Sequence, residues 1–206
     1  RTRHVEAEWA HRKSIQINPD SVVAWYNLGV TLADQERWNE AEKVYLESIK
    51  KDATYFRAWR GLGIAQLNQG HFSAGEKSCL EALRIEPTDE TSWYNLSFAR
   101  LELNMLPEAE DACLSLIGIS PKDANAWYIL GVILRRQDKY VESETACKNA
   151  LDINPTDGRL WNNLGLAFRD QGKSEEAEDA YRKAAKISPR DVTYWSNLSN
   201  TYRDLG

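Results

Sequence analysis

The chain has 206 residues, of which 42% are hydrophobic and 28% are charged, a composition typical of a soluble folded protein. Its formal net charge of −5 argues against a nucleic-acid partner, because binding to phosphate needs a basic face. No apolar run is long enough to span a membrane and no signal peptide is visible, which favours the cytoplasm. The chain begins with Arg1 rather than Met, so we expect a processed product or a fragment, and the compartment stays open.

The first elements in chain order are helical. Residues 1–21 predict one helix that ends in a turn at Pro19. Residues 22–55 predict two helices joined by a polar turn. The first has apolar or small residues at helical spacing: Trp25, Leu28, Gly29 and Leu32. The second repeats that spacing: Ala41, Val44, Tyr45, Ser48 and Ile49. The small residues in both helices predict a close approach between them, because core packing tolerates little extra volume.

The same pattern returns every 34 residues along the chain. Tryptophan marks the period: Trp25, Trp59, Trp93, Trp127, Trp161 and Trp195. A leucine follows each tryptophan by three positions, and a glycine or serine comes next. Prolines close all but one of the units: Pro19, Pro87, Pro121, Pro155 and Pro189. The period divides the chain into a half repeat, five full repeats and a second half repeat: 1–21, 22–55, 56–89, 90–123, 124–157, 158–191 and 192–206.

This pattern resembles the tetratricopeptide repeat, in the form found in bacterial and archaeal repeat proteins and in O-linked N-acetylglucosamine transferases. The resemblance covers the whole chain, with modest departures at Ala53, Gln66 and Arg100. It implies an all-α fold, a right-handed α-solenoid superhelix of 34-residue helix–turn–helix repeats. It also implies that the first helix of each repeat lines a concave surface.

The residues that this resemblance places on the concave surface change in character along the chain. The first half offers apolar and aromatic contacts, chiefly Tyr26, Tyr94 and Phe98. The second half offers a tyrosine and several arginines, chiefly Tyr128, Arg135, Arg169 and Arg203. Two acidic residues partly offset these arginines, Asp170 and Asp204. We therefore expect a peptide ligand that is partly apolar and partly acidic, because arginine can fork onto carboxylates. A merely solvated helix face is the alternative.

Asparagine recurs two residues after four of the six tryptophans: Asn27, Asn95, Asn163 and Asn197. Gly61 and Ile129 interrupt this column. It resembles the asparagine ladder of O-linked N-acetylglucosamine transferases, which contacts the backbone of a bound peptide. A side-chain amide can both donate to and accept from a peptide bond. A capping or inter-repeat hydrogen bond is an equal alternative.

No constellation in the sequence indicates catalysis, a metal or another cofactor. Cys79, Cys113 and Cys147 are spaced like the tryptophans, and neighbouring helices in such a stack lie too far apart for a disulfide. We therefore expect buried free cysteines that behave as small hydrophobic residues. The histidines are scattered, and no nucleophile or phosphate-binding motif is present.

These observations favour a protein-interaction scaffold that holds a peptide or helix in its groove, rather than an enzyme. One alternative is a structural subunit whose repeats stack end to end into a filament. The other is the substrate-recognition arm of a larger enzyme such as a glycosyltransferase. Neither end of the chain has the polar outer face of a capping helix, which predicts either a fragment of a longer array or head-to-tail self-association.

Overall fold

The computed structural model describes residues 2–205, which form twelve α-helices and no β-strand. The helices are α1 Thr2–Ile17, α2 Val22–Ala33, α3 Trp38–Lys51, α4 Phe56–Asn68, α5 Phe72–Ile85, α6 Glu90–Glu102, α7 Leu106–Ile119, α8 Ala124–Arg136, α9 Tyr140–Ile153, α10 Gly158–Asp170, α11 Ser174–Ile187 and α12 Val192–Leu205. The even-numbered helices are the first helices of the repeats, and the odd-numbered helices from α3 to α11 are the second. The all-α helical repeat predicted from the period is therefore confirmed.

The turn inside each full repeat has one left-handed residue at the same place. Two of these residues are glycines, Gly70 and Gly172, with φ of 77° and 75°. The other three are not glycine: Glu36, Asn104 and Asp138 have φ of 58–60°. In each turn the next N–H donates to a carbonyl five residues earlier, for example His71 to Gln66 at 2.9 Å. This bond closes the end of the first helix, and it needs a left-handed residue just before the donor.

The tryptophan of each first helix is tied to the turn that precedes it. Every indole Nε1–H donates to the carbonyl six residues earlier, at 2.8–3.0 Å. The acceptor is a proline carbonyl in five turns and the carbonyl of Ala53 in the sixth. Because any residue supplies a carbonyl, Ala53 replaces the proline without loss of this bond. The rings are half-buried, apart from the more exposed Trp195, and Trp59, Trp127 and Trp161 pack against core clusters.

Small side chains let the two helices of a repeat touch. Ala41 and Ala177 are fully buried at the start of α3 and α11. A Cβ built at Gly29 would lie 2.5 Å from the ring of Tyr45, and one at Gly165 would lie 2.6 Å from the ring of Tyr181. Neither glycine could therefore become alanine without moving a buried tyrosine.

The chain divides into two compact units, which we call the N-terminal unit, residues 1–105, and the C-terminal unit, residues 106–206. In the N-terminal unit, Leu28, Tyr45 and Leu62 share one core cluster across successive helices. In the C-terminal unit, Cys147, Leu160 and Leu164 do the same. None of the helices in the described range combines the length and the apolar character needed to cross a membrane.

Candidate functional site

One cavity in the N-terminal unit brings together three of the residues that the sequence analysis singled out, Tyr94, Asn95 and Phe98. We call it the aromatic cavity; its volume is about 510 Å³. The complete lining comes from α4, the turn after it, α5 and α6: Leu67, Asn68, Gly70, Phe72, Tyr94, Asn95 and Phe98. The structure thus supplies a concave and largely apolar surface, the usual form of a binding site.

Local backbone features position the walls of this cavity. Gly70 adopts its left-handed conformation in the turn, so that Phe72 follows directly as the first residue of α5. The Phe72 and Phe98 rings meet edge to face, with centroids 6.2 Å apart. Leu67 can pack here because Gly75 has no side chain: a Cβ at Gly75 would lie 2.6 Å from Leu67 Cδ2. The apolar wall is therefore held by contacts between α4, α5 and α6.

Asn95 provides a polar group at the edge of the aromatic cavity. It is partly exposed, and its side-chain amide makes no hydrogen bond with any other described residue. The same is true of the Asn27 amide on α2, whereas the backbone carbonyl of Asn27 accepts from Thr31. Both amides can therefore pair with an external peptide bond. The ring of Tyr26, beside Asn27, is half-buried between Tyr45 and Tyr55, with centroids 6.0 and 5.5 Å away.

The two asparagines of the C-terminal unit are placed differently. Asn163 is only 3% exposed, and its Nδ2 donates to Cys147 Sγ at 3.2 Å. Asn197 Nδ2 donates to Asn162 Oδ1 at 2.8 Å. The expectation that Asn163 lines an open ligand ladder is therefore corrected: its amide fills the space beside a small cysteine. At these two positions the structure has the inter-repeat hydrogen bond that the sequence left as an alternative.

Arg135 and Arg169 both lie beside the carboxylate of Asp170. Arg135 Nη1 is 3.1 Å from Asp170 Oδ2, and Arg169 Nη2 is 3.6 Å from Asp170 Oδ1. All three side chains are partly exposed, at 28%, 35% and 21%. An acidic ligand would therefore have to compete with Asp170 for these arginines. Arg203 is exposed, and its Nη2 donates to Asn200 Oδ1 at 3.3 Å.

Two buried polar atoms in the C-terminal unit, Tyr181 Oη and Arg135 Nε, find no hydrogen-bond partner among residues 2–205. Tyr181 is fully buried, and burial raises the pKa of its phenol to about 12. Tyr128, the remaining predicted contact, is half-buried and lies under the guanidinium of Arg159, which is 5.6 Å from the ring centroid.

The cysteines are free and buried, as the sequence analysis expected. Burial raises the pKa of all three thiols, Cys79, Cys113 and Cys147, to about 12. The thiolate that acts as a nucleophile is therefore scarce at neutral pH. Across the described range, no three His, Cys, Asp or Glu side chains come together in a group that could hold a metal ion.

Sequence reasoning missed Phe72 and underestimated Asp170. Phe72 belongs to a column that is apolar or aromatic in four of the five full repeats, with Trp38, Leu106 and Tyr140. This recurrence could have indicated that Phe72 has a packing or binding role. Asp170 was recognised only as an offsetting charge. The sequence does not indicate that the Asp170 carboxylate contacts both its neighbour Arg169 and Arg135, which is 35 residues earlier.

Comparison with known families gives one consistent result. Two family models, both described as tetratricopeptide repeat, match residues 26–90 and 122–190. A search of curated proteins gave no match. The likeness to O-linked N-acetylglucosamine transferases stays a prediction.

Several solved structures share the fold at low sequence identity. The chain is similar to YrrB, described as a TPR protein with an unusual peptide-binding site, with a TM-score of 0.75 and 18% identity over 91% of this chain and 96% of that one. It is similar to residues 41 to the end of MamA from Desulfovibrio magneticus RS-1, with a TM-score of 0.77 and 17% identity over 83% and 97% of the two chains. It is also similar to TTC0263, a thermophilic TPR protein of Thermus thermophilus, with a TM-score of 0.70 and 18% identity over 88% and 99%. At these identities the likeness concerns the fold alone.

Proposed function

Because the chain belongs to the tetratricopeptide-repeat family, whose members act as protein-interaction scaffolds, we propose that it binds an extended, partly apolar and partly acidic peptide along its first helices. The observation that carries this proposal is the aromatic cavity with the unpartnered amide of Asn95 at its edge. An apolar side chain of the peptide fills the cavity, and Asn95 pairs with the peptide backbone beside it. This role needs no catalytic group.

The acidic part of the peptide binds Arg135, Arg169 and Arg203. Arginine binds carboxylates in a forked geometry, and Arg135 and Arg169 are partly exposed whereas Arg203 is exposed. Asp170 already neutralises part of this charge, so it sets how acidic a ligand must be before it binds. Binding should weaken as salt is added, because exposed charges are screened.

The test uses two fluorescein-labelled probe peptides, one rich in phenylalanine and leucine and one rich in glutamate. We expect Asn95→Ala to weaken binding of the apolar probe, and Asn149→Ala on α9, the matched control, to leave it unchanged.

We expect Arg135→Ala to weaken binding of the glutamate probe and Asp170→Asn to strengthen it, whereas Arg84→Ala on α5 should change the binding of neither probe. Fluorescence anisotropy measures each dissociation constant. Equal affinities in Asn95→Ala and Asn149→Ala, or a glutamate probe indifferent to both Arg135→Ala and Asp170→Asn, would contradict the proposal.

A second candidate function is a self-assembling structural subunit, and the exposed faces of α1 and α12 favour it. Ser14 is exposed on α1, whereas Ser48, in the same column, is fully buried. Ser199 is exposed on α12, although the corresponding Gly165 is buried, and the neighbouring Trp195 is 50% exposed. We infer that α12 of one copy packs on α1 of the next copy, as the first and second helices of one composite repeat. The role as a recognition arm of a larger enzyme stays a prediction.

A further inference from the structure

A second cavity lies in the C-terminal unit, between α9, α10 and α11, and its volume is about 340 Å³. We call it the outer cavity. It uses the stripe of α10 that contains Trp161, Leu164 and Phe168, whereas Arg169 lies on another face of the same helix. The outer cavity is therefore separate from the arginines that the proposed function uses.

The floor of the outer cavity is aromatic, and a cation already lies on it. Lys183 Nζ is 4.3 Å from the centroid of the Trp161 ring. The ring is fixed in place because its indole N–H donates to the carbonyl of Pro155 at 2.9 Å. A cation over the face of a fixed tryptophan is an attractive arrangement. Lys183 thus shows which chemistry this floor accepts.

The rim of the outer cavity has an excess of negative charge. Asp152, Glu176 and Asp179 are exposed, and within the described part of the chain they form no ion pair. Lys148 also lines the cavity, but Glu144 holds its ammonium at 2.7 Å. Of the two ammonium groups that line the cavity, only Lys183 has no ion pair with a described residue, and three carboxylates that also lack one face it.

This charge pattern is not a product of the repeat. Asp152 stands in the column that has Lys50 and Arg84 in the N-terminal unit. Asp179 stands in the column of Lys43 and Lys77, and Lys183 in the column of Glu47 and Glu81. All three charges are the reverse of those at the equivalent positions of the N-terminal unit. The outer cavity consequently differs in charge from the equivalent surface between α3, α4 and α5.

We propose that the outer cavity binds an arginine side chain of a basic partner protein. The planar guanidinium stacks on Trp161 in place of the Lys183 ammonium, and its forked N–H groups donate to Asp152 and Asp179. The alkyl stem of the arginine lies beside Phe168, whose ring already has the ammonium groups of Lys148 and Lys173 within 5.8 Å of its centroid. This site is independent of the peptide-binding proposal, and it has the opposite charge preference.

The test is an NMR titration of the whole chain with arginine blocked at both termini, N-acetyl-arginine amide. The indole N–H resonance of Trp161 is the reporter, and that of Trp127, in the same column of the preceding repeat, is the internal control. Blocked leucine is the matched ligand without charge. We expect a saturable shift at Trp161 with blocked arginine and none at Trp127.

Three variants sharpen this test. The double variant Asp152→Asn, Asp179→Asn should weaken binding by about tenfold, the effect of losing two partly exposed charge contacts. Lys183→Ala should strengthen binding by about threefold, because the competing ammonium is removed. The control double variant Asp111→Asn, Glu142→Asn removes the same charge elsewhere in the unit and should leave binding unchanged.

Blocked leucine shifting Trp161 as strongly as blocked arginine would overturn the proposal, and so would equal affinities in the two double variants. An absent shift at Trp161 in both the unsubstituted chain and Lys183→Ala would overturn it as well. None of these results bears on peptide binding at Asn95, so the two proposals fail separately.

Discussion

At the scale of single residues, the side chain twenty positions after each tryptophan limits what the next repeat can place beside it. Where this residue is Tyr45, a Cβ at Gly61 of the next repeat would lie 2.6 Å from its ring. Where it is the smaller Cys147, the space is filled by Asn163, whose amide bonds to the sulfur. After Tyr181, the next repeat has Asn197, whose amide donates to Asn162. The ring of Tyr45 therefore leaves no room for a Cβ at Gly61, whereas the equivalent position after Tyr181 holds Asn197.

This relation predicts that the effect of Gly61→Ala depends on residue 45. In the unsubstituted chain, Gly61→Ala should lower the free energy of unfolding by about 1–3 kcal/mol, because the new methyl group overpacks the core. In a Tyr45→Cys background the ring is absent, so the same change should raise the free energy of unfolding by up to about 1 kcal/mol through better helix propensity. Urea unfolding of the four proteins gives both values.

Gly118→Ala is the control for helix propensity, since a Cβ at Gly118 on α7 meets nothing within 4 Å. It should be mildly stabilising in either background. Additive effects of Tyr45→Cys and Gly61→Ala would show that the two positions are not coupled, against this prediction.

At the scale of single elements, the turn between the helices of a repeat is more demanding than its sequence suggests. All five turns place a residue in the left-handed region, but only two have glycine there. Asparagine and aspartate tolerate this conformation better than most residues, which suits Asn104 and Asp138. Asp138 gains further support, because its carboxylate accepts a hydrogen bond from the Tyr140 hydroxyl at 2.7 Å. Glu36 has no such compensation from the described residues and bears the full steric cost.

We therefore expect Glu36→Gly to raise the free energy of unfolding by about 1 kcal/mol, the usual cost of a left-handed residue with a Cβ. Asp138→Gly should raise the free energy of unfolding by less, since this change also removes the hydrogen bond from the Tyr140 hydroxyl. Gly70→Ala should be destabilising by a similar amount, because it introduces the strain that Glu36 now has. Thermal and urea unfolding of the three variants measure these changes. A destabilised Glu36→Gly would be evidence against backbone strain at this turn.

The repeat period predicted most of the fold, because each column has one physical task in every unit. Leu28, Leu62 and Leu164 are all buried, as their shared column predicted. The period could not predict properties that depend on one pair of neighbours. Asn163 and Asn95 look alike in the sequence, and each follows a cysteine by sixteen residues, Cys147 and Cys79. Only Asn163 is buried and donates to that sulfur, so the size of the preceding side chain does not by itself decide how the asparagine is placed. For the same reason the residues of the aromatic cavity could be predicted only in part, since Phe72 comes from a second helix.

At the scale of the whole molecule, the stability of a repeat depends on what covers its faces, because repeats in such an array pack only on their neighbours in the sequence. The inner columns of α1 and α12 are exposed at Ser14 and Ser199, although both columns are buried elsewhere in the chain. These two faces are complementary, since one belongs to a second helix and the other to a first helix. A contact between them is heterologous, and repetition of such a contact leads to a ring or an open chain of copies.

We expect the chain to self-associate as its concentration rises, and sedimentation equilibrium measures the association. Ser199→Glu should block the α12 face and Ser14→Glu the α1 face, because each places a buried charge in the contact. Each variant alone should be a monomer, but an equal mixture of the two should form a one-to-one dimer, since each variant retains one intact face. Thr145→Glu, at an exposed position of α9, should associate like the unsubstituted chain. A mixture that stays monomeric while the unsubstituted chain associates would contradict a head-to-tail contact.

The packing of Tyr45 against Gly61 also bears on how such an array can be lengthened by duplication or recombination. If a unit were exchanged with its boundaries at the prolines, Tyr45 would meet whichever residue the incoming first helix brought, and Ile129 or Asn163 in that position would add at least a Cβ where the ring leaves no room. Within a repeat, by contrast, glycine faces the tyrosine or cysteine in four of the five full repeats, and only Ser97 departs from this. The segment that can be moved without disturbing its packing therefore runs from the second helix of one repeat to the first helix of the next. Crossovers that survive selection should fall in the turn with the left-handed residue, so that the heritable module is displaced by half a period from the structural repeat.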